Sequence, residues 1–338
     1  MTGRLNDCQG QVSEKGVGLQ RVSFGTTKVL YILGLYRSGT TLLGNLLGQL
    51  EGFGHVGELR ATWREIRLDS NQCGCGLSLR QCDLWRTVIA ATFRDERTVL
   101  PASLEMEKLQ ASTLGGVHTW SKVAPLLLRR PGQLSPSEPL GRYGQGMVRL
   151  YQTIADVSGA RVIVDSSKEP TDAALLRLLP QISPYFVHIV RDPRGVVYSG
   201  LRKNTGRGGE IGSQSWQTAY TALSWTFGNM AAAVVRRAQG PKQSLLLRYE
   251  DLMSDPAGSI RAITKLVGED VAVPDYAGGR ALLSANHTVC GNDNRFRIGT
   301  VQLTPDLAWR ASLHRLDRTL VTALCSPLLG IYHYDLRS

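Results

Sequence analysis

Between Gly34 and Leu42 the chain reads GLYRSGTTL, a stretch crowded with glycine, arginine and hydroxyl side chains. Gly34 and Gly39 permit a tight turn whose consecutive N–H groups point inward, and a helix starting behind it adds the positive end of its dipole. Arg37 can fork onto two anionic oxygens, while Ser38, Thr40 and Thr41 supply hydroxyl donors. This is the chemistry of a phosphate or sulfate cradle, with Arg37, Ser38, Gly39, Thr40, Thr41 and Leu42 as its candidate ligands. A loop that grips a nucleoside triphosphate would carry lysine at the position of Thr40. What anion is held without that lysine is the question the rest of the chain must answer.

Two further cationic groups point to the same chemistry. Arg191 ends an apolar run in VRDPRGVVYSG, and Ser199 follows about two helical turns later, so the pair can converge on a second phosphate. The Gly/Asn-rich stretch NHTVCGNDNRFRIGT carries Arg295 and Arg297 and can fold over a ligand as a loop. An acceptor hydroxyl needs a base, being almost wholly protonated at neutral pH. GFGHVGELRATW offers His55, Glu58 and Arg60 where a second strand would end. Asp165 in VIVDSS reads either as a magnesium-holding carboxylate or as a structural acceptor that orients the loop behind it.

Cys73, Cys75 and Cys82 cluster in CGCGLSLRQC. Zinc would need a fourth ligand, and the closest histidines in sequence are His55 and His118, so packing or a local redox link is the preferred reading and no metal ligand is assigned. Cys8, Cys290 and Cys325 show no pairing pattern.

These residues must be positioned by a repeating element pattern. KVLYILGL, ARVIVDSS, YFVHIVRDP and SLLLRYEDL are short apolar runs, each followed by a turn and a helix-like segment. Strands alternating with helices predict an α/β fold, a parallel sheet with helices on both faces that binds ligands beyond the carboxyl ends of its strands. Residues 60–160, punctuated by Pro131, Pro136 and Pro139, read as a helical insertion and as the acceptor-binding region. SQSWQTAYTALSWTFGNMAAAVVRRAQ predicts one long helix whose Trp216, Tyr220 and Phe227 are read as core residues in preference to ligand contacts.

Composition narrows the class. The chain of 338 residues has a formal net charge of +11, carried mostly by dispersed arginine, which favours a small anionic ligand. No zinc-finger spacing, basic zipper or RNA-binding signature is present, so nucleic acid is not an expected partner. No apolar run approaches the roughly 20 residues of a transmembrane span. Residues 1–27 read as a flexible lead-in and 28–338 as one domain, in a soluble, cytoplasmic protein for which a homodimer is allowed.

Taken together, these motifs resemble the sulfotransferases that use 3′-phosphoadenosine 5′-phosphosulfate (PAPS). YRSGTTLL is similar to that family's 5′-phosphosulfate loop and VRDPRGVVYS to its 3′-phosphate motif, while GNDNRFR resembles the late cofactor-covering loop of the bacterial and carbohydrate branch. The resemblance implies a P-loop-type fold, PAPS as donor, no requirement for a metal, and a small-molecule or glycan acceptor such as a sugar, glycolipid or secondary metabolite. GELR is similar to the glutamate-x-arginine of the tyrosylprotein branch, which implies Glu58 as base and Arg60 as its orienter or a substrate contact. The cytosolic branch uses histidine, which keeps His55 as runner-up on the acceptor side. Lys168 resembles a lysine that stabilises charge on the leaving phosphate, and His287 falls where that branch has a serine contact, so Arg37, Lys168 and His287 are counted with Glu58 as catalytic. The competing readings are a P-loop small-molecule kinase or NTPase using Asp165, and a nucleotide-binding module without chemistry.

Overall fold

Val29, Leu30, Tyr31, Ile32 and Leu33 are all fully buried, the mark of a strand covered on both faces rather than one. In the computed structural model, which describes residues 25–93, 95–115, 119–205 and 215–336, this run is the central strand β1 (Thr27–Gly34). It is flanked by β2 (Phe53–Gly57), β3 (Val162–Lys168), β4 (Ile182–Val190) and β5 (Ser244–Arg248) in the order β2-β3-β1-β4-β5. Every pairing is parallel, with Leu30 opposite Val164 on one side and Tyr185 on the other. The predicted α/β fold with its P-loop-type sheet is the observed one. Residues 1–24 of the expected lead-in, with Cys8, lie outside the described residues, as does His118.

The two faces of β1 feed two cores. Leu30 and Ile32 pack with α1 (Thr40–Leu47) and with the helices after β5. Val29, Tyr31 and Leu33 pack under the helices of the 60–160 region, which is helical as expected: α2 (Thr62–Leu68), α3 (Asp83–Phe93), α4 (Glu96–Thr113), α5 (Thr119–Leu128) and α6 (Pro139–Ser158). After β3 comes α7 (Pro170–Leu176), and after β4 come α8 (Pro193–Thr205) and α9 (Ser215–Gln239). Beyond β5 lie α10 (Tyr249–Ser254) and α11 (Pro256–Val267). A hairpin of β6 (Arg280–Leu283) and β7 (Gly299–Gln302) holds the ends of the Gly/Asn-rich loop, and α12 (Trp309–Ser312) and α13 (Arg315–Ile331) close the chain. No helix among the described residues is long and apolar enough to cross a membrane.

One expectation about α9 is corrected. Trp216, Tyr220 and Phe227 are 77%, 59% and 54% exposed, whereas Trp225 is fully buried. The buried stripe runs through Thr218, Ala222, Trp225, Asn229 and Ala232, so small side chains let α9 approach its neighbours and the other aromatics fall on the opposite face.

Candidate active site

All five parallel strands end at one cleft of about 820 Å³. Gly34 ends β1, Glu58 follows β2, Lys168 ends β3, Arg191 follows β4 and Tyr249 follows β5, and each of them lines the cleft. This is where an open parallel sheet presents loops and helix N-termini to a ligand.

The loop expected to cradle an anion sits after β1. Arg37 has φ 68, left-handed for a side-chain-bearing residue, and Gly39 follows with φ 92. A Cβ at Gly39 would stand 2.7 Å from the Tyr249 ring, so glycine is required both for the turn and for the approach. The first turn of α1, Thr40 to Leu42, faces the cleft with N–H groups that no earlier helical carbonyl can accept. Arg37 itself donates from Nε and Nη2 to Ser199 Oγ, at 2.9 and 2.7 Å. The two anion motifs, 162 residues apart in sequence, thus meet in space.

Arg191 is clamped from several directions. Its guanidinium donates to the Arg37 carbonyl at 3.2 Å and the Asp306 carbonyl at 3.0 Å, and lies 4.6 Å from the centre of the Tyr249 ring. The buried Trp225 indole donates to the Arg191 carbonyl at 3.0 Å, which fixes the end of β4. Burial, then the guanidiniums of Arg191 and Arg202, pull Arg37 below its ordinary value, with Asp306 offsetting part of this. Such crowding of cations is relieved by a polyanion. The neighbouring Arg194 does something different: it forks onto Asp192 and stacks 4.6 Å from the Trp309 ring, and does not line the cleft.

The cleft is also lined by a paired carboxylate and ammonium, Glu58 and Lys168. The Lys168 ammonium donates to the Glu58 carboxylate and, at 3.1 Å, to the Ser166 carbonyl. Register slips between β1 and β3 just before Lys168, and this residue has φ 74, so a bulge at the strand end turns its side chain toward Glu58. Glu58 is held from behind, its N–H donating to the Cys290 carbonyl at 3.2 Å. Gly57 (φ 78) makes that approach possible, since a Cβ there would lie 2.6 Å from the same carbonyl oxygen. Left-handed residues such as Arg37 and Lys168 cost on the order of 1–3 kcal/mol each and concentrate where function constrains the backbone.

Of the residues expected at the site, the fold brings Arg37, Gly39, Thr40, Thr41, Leu42, Glu58, Lys168, Arg191, Ser199 and Arg297 to the cleft. Others go elsewhere. Ser38 is buried beneath the loop and Arg295 packs over Phe296, neither lining the cleft. Arg60 pairs with Asp172 on α7 instead of orienting Glu58. His55 is buried against α1 with Nε2 3.3 Å from Ser166 Oγ, and burial, then Lys168, lower its pKa to about 3. His287 is displaced furthest, its Nδ1 3.2 Å from Cys82 Sγ, so it joins the cysteines and not the Glu58–Lys168 pair. Asp165 accepts from the Tyr151 hydroxyl at 2.5 Å and from the Ser167 N–H at 2.8 Å, the structural role considered for it.

Sequence reasoning missed Arg202, Lys203, Tyr249 and Asp306, all on the cleft. Arg202 and Lys203 lie one helical turn past Ser199, where i+3 and i+4 neighbours share a face, and Tyr249 sits just after a strand; both signals were available.

A family model described as the sulfotransferase family matches residues 30–273. No curated protein matches the chain by sequence. Among solved structures, the sulfotransferase domain from the Synechococcus PCC 7002 olefin synthase is similar, with a TM-score of 0.51 and 19% identity, covering 92% of this chain and 96% of that one. The sulfotransferase domain from the curacin biosynthetic pathway is similar as well, with a TM-score of 0.50 and 17% identity over 92% of this chain and 99% of that one. At these identities the structures speak for the fold, and the family match, over most of the chain, speaks for the activity class. The protein is an enzyme and belongs to the sulfotransferase family.

Proposed function

We propose that the protein transfers the sulfuryl group of PAPS to a hydroxyl of a small-molecule or glycan acceptor, with Glu58 as general base. The observation that carries this reading is the meeting of Arg37 with Ser199 beside Arg191, which sets two anion-binding motifs side by side in one cleft. A donor with phosphates at both its 5′ and 3′ ends has the matching shape. Arg37 and the amides of Thr40 to Leu42 hold the 5′ end, and Arg191 and Ser199 the 3′-phosphate, with Arg297 closing over them.

Lys168 stabilises negative charge growing on the leaving oxygen, while Glu58 takes the acceptor proton as the acceptor oxygen attacks sulfur. While the two are paired with each other, neither acts; a donor that draws Lys168 toward its own anion frees the Glu58 carboxylate. The segment after Glu58 leads directly into α2, and Gln110 of α4 donates to the Arg60 carbonyl at 3.0 Å, so the helical insertion abuts the acceptor side. That contact supports its role in shaping the acceptor pocket. The kinase reading loses its carboxylate, because Asp165 is buried with both oxygens engaged.

Incubating the protein with labelled PAPS and pools of sugars, glycolipids and secondary metabolites tests the proposal. Label transfer to a hydroxyl, without ATP hydrolysis, supports it. ATP turnover without transfer from PAPS contradicts it.

A further inference from the structure

Cys82 and His287 stand 205 residues apart in sequence, yet Sγ and Nδ1 lie 3.2 Å apart. The same nitrogen is 3.9 Å from Cys73 Sγ, and the donor atoms of Cys73, Cys75, Cys82 and His287 all lie within 4.8 Å of one another. All three cysteines are free thiols. In a tetrahedral zinc site, bonds of about 2.3 Å to sulfur and about 2.0 Å to nitrogen set the donors roughly 3.5–3.8 Å apart. The observed spacings straddle that range.

The backbone around the four donors is built to present them. Residues 72–78 form a knuckle, with a bridge between Gln72 and Ser78 and the Cys73 N–H donating to the Leu77 carbonyl at 2.7 Å. Cys82 follows at the foot of α3, its N–H on the Ser78 carbonyl at 2.9 Å. His287 is gripped on both sides: Trp85 Nε1 donates to its carbonyl at 2.7 Å, and the Gly74 N–H to the Thr288 carbonyl at 2.9 Å. Cys73 and Cys82 are buried, Cys75 and His287 half-buried.

We propose that Cys73, Cys75, Cys82 and His287 bind a structural zinc ion that fastens the β6–β7 loop to the helical insertion. Sequence spacing favoured packing or a redox link because the fourth ligand was out of sight; the fold supplies it. On ligation the three thiols lose their protons to solvent, and the neutral imidazole donates the Nδ1 lone pair. Four protein donors leave no open position for water, which makes the ion structural and not catalytic. The fastened loop is the one whose Cys290 carbonyl accepts the Glu58 N–H, so the ion steadies the backbone behind the proposed base.

Zinc in the purified full-length protein is measured by elemental mass spectrometry after exhaustive desalting, with no donor or acceptor, so the result is independent of the sulfotransfer reading. About one zinc per chain is expected, released when the thiols are mercurated. Cobalt(II) added to chelator-stripped protein should give thiolate charge-transfer and tetrahedral absorption. Cys82→Ser and His287→Ala should each weaken zinc affinity by more than about a hundredfold, beyond the loss typical of an outer-shell partner, while Cys325→Ser retains the metal. Because a lost ligand can unfold the chain, the deciding arm is the unaltered protein made in zinc-supplemented medium. Less than about a tenth of an equivalent of zinc, stoichiometric iron in its place, or a Cys73–Cys82 disulfide on peptide mapping overturns the site. Chelation should also raise deuterium uptake at residues 286–291; unchanged uptake overturns the fastening.

Discussion

Lys168 and Glu58 reach each other from the ends of two adjacent strands, β3 and β2, and pair on the wall of the cleft. Each is only partly exposed, the side chains at 14% and 29%, so the pair is shielded from solvent yet open to a ligand. In the proposed transfer the lysine stabilises negative charge on the departing phosphate and the carboxylate takes the hydroxyl proton. One contact therefore joins both ends of the proposed transfer.

The donor-binding half of the account turns on Arg191. Arg191→Ala should weaken PAPS by about one to two decades, the roughly 1.5–3 kcal/mol of a charge-assisted contact. An analogue lacking the 3′-phosphate should lose far less. Calorimetric titration of both ligands checks this; equal losses would make Arg191 a general support for the cleft.

A pH effect on stability follows from two buried histidines. Burial, with Lys168 second, holds His55 at about 3, and burial holds His188 at about 4. Below about pH 6.5 the unfolded chain binds protons that the folded chain refuses, so their contribution is full above that pH and is lost as pH falls. Asp172, pushed up to about 6 by burial, works in the opposite sense, so the clean readout is a difference between variants. Between pH 7 and pH 5, His55→Asn should lose about 2 kcal/mol less stability than the unaltered protein, measured by denaturant titration.

The two faces of α9 should answer differently to truncation. Trp225→Ala, in the core and bonded to the Arg191 carbonyl, should cost about 3–5 kcal/mol. Phe227→Ala and Trp216→Ala, on the exposed face, should stay within about 0.5 kcal/mol. Thermal denaturation of the three variants distinguishes the observed face from the one that aromatic identity suggests.

How legible the site was depended on how local its signals are. The cradle around Arg37 is one strand, one turn and one helix, and that grammar is contained within 21 consecutive residues, Thr27 to Leu47. Arg191 and Ser199 likewise share a strand end and the next helix. Partners supplied by distant segments were not readable: Arg60 finds Asp172 112 residues away, and His287 finds Cys82 205 residues away. The β6–β7 hairpin escaped notice because its strands are four residues each, too short for a periodic pattern. On α9 the misreading came from following large aromatics, when the small residues at helical spacing mark the packed face.

The most direct measurement of the central claim is the turnover of Glu58→Gln on the natural hydroxyl acceptor, beside its affinity for PAPS. The substitution keeps shape and hydrogen bonding but removes the capacity to take a proton. With Glu58 as the base, turnover falls by about a hundredfold to ten-thousandfold while PAPS affinity changes little. Near-normal turnover of that variant would contradict the account.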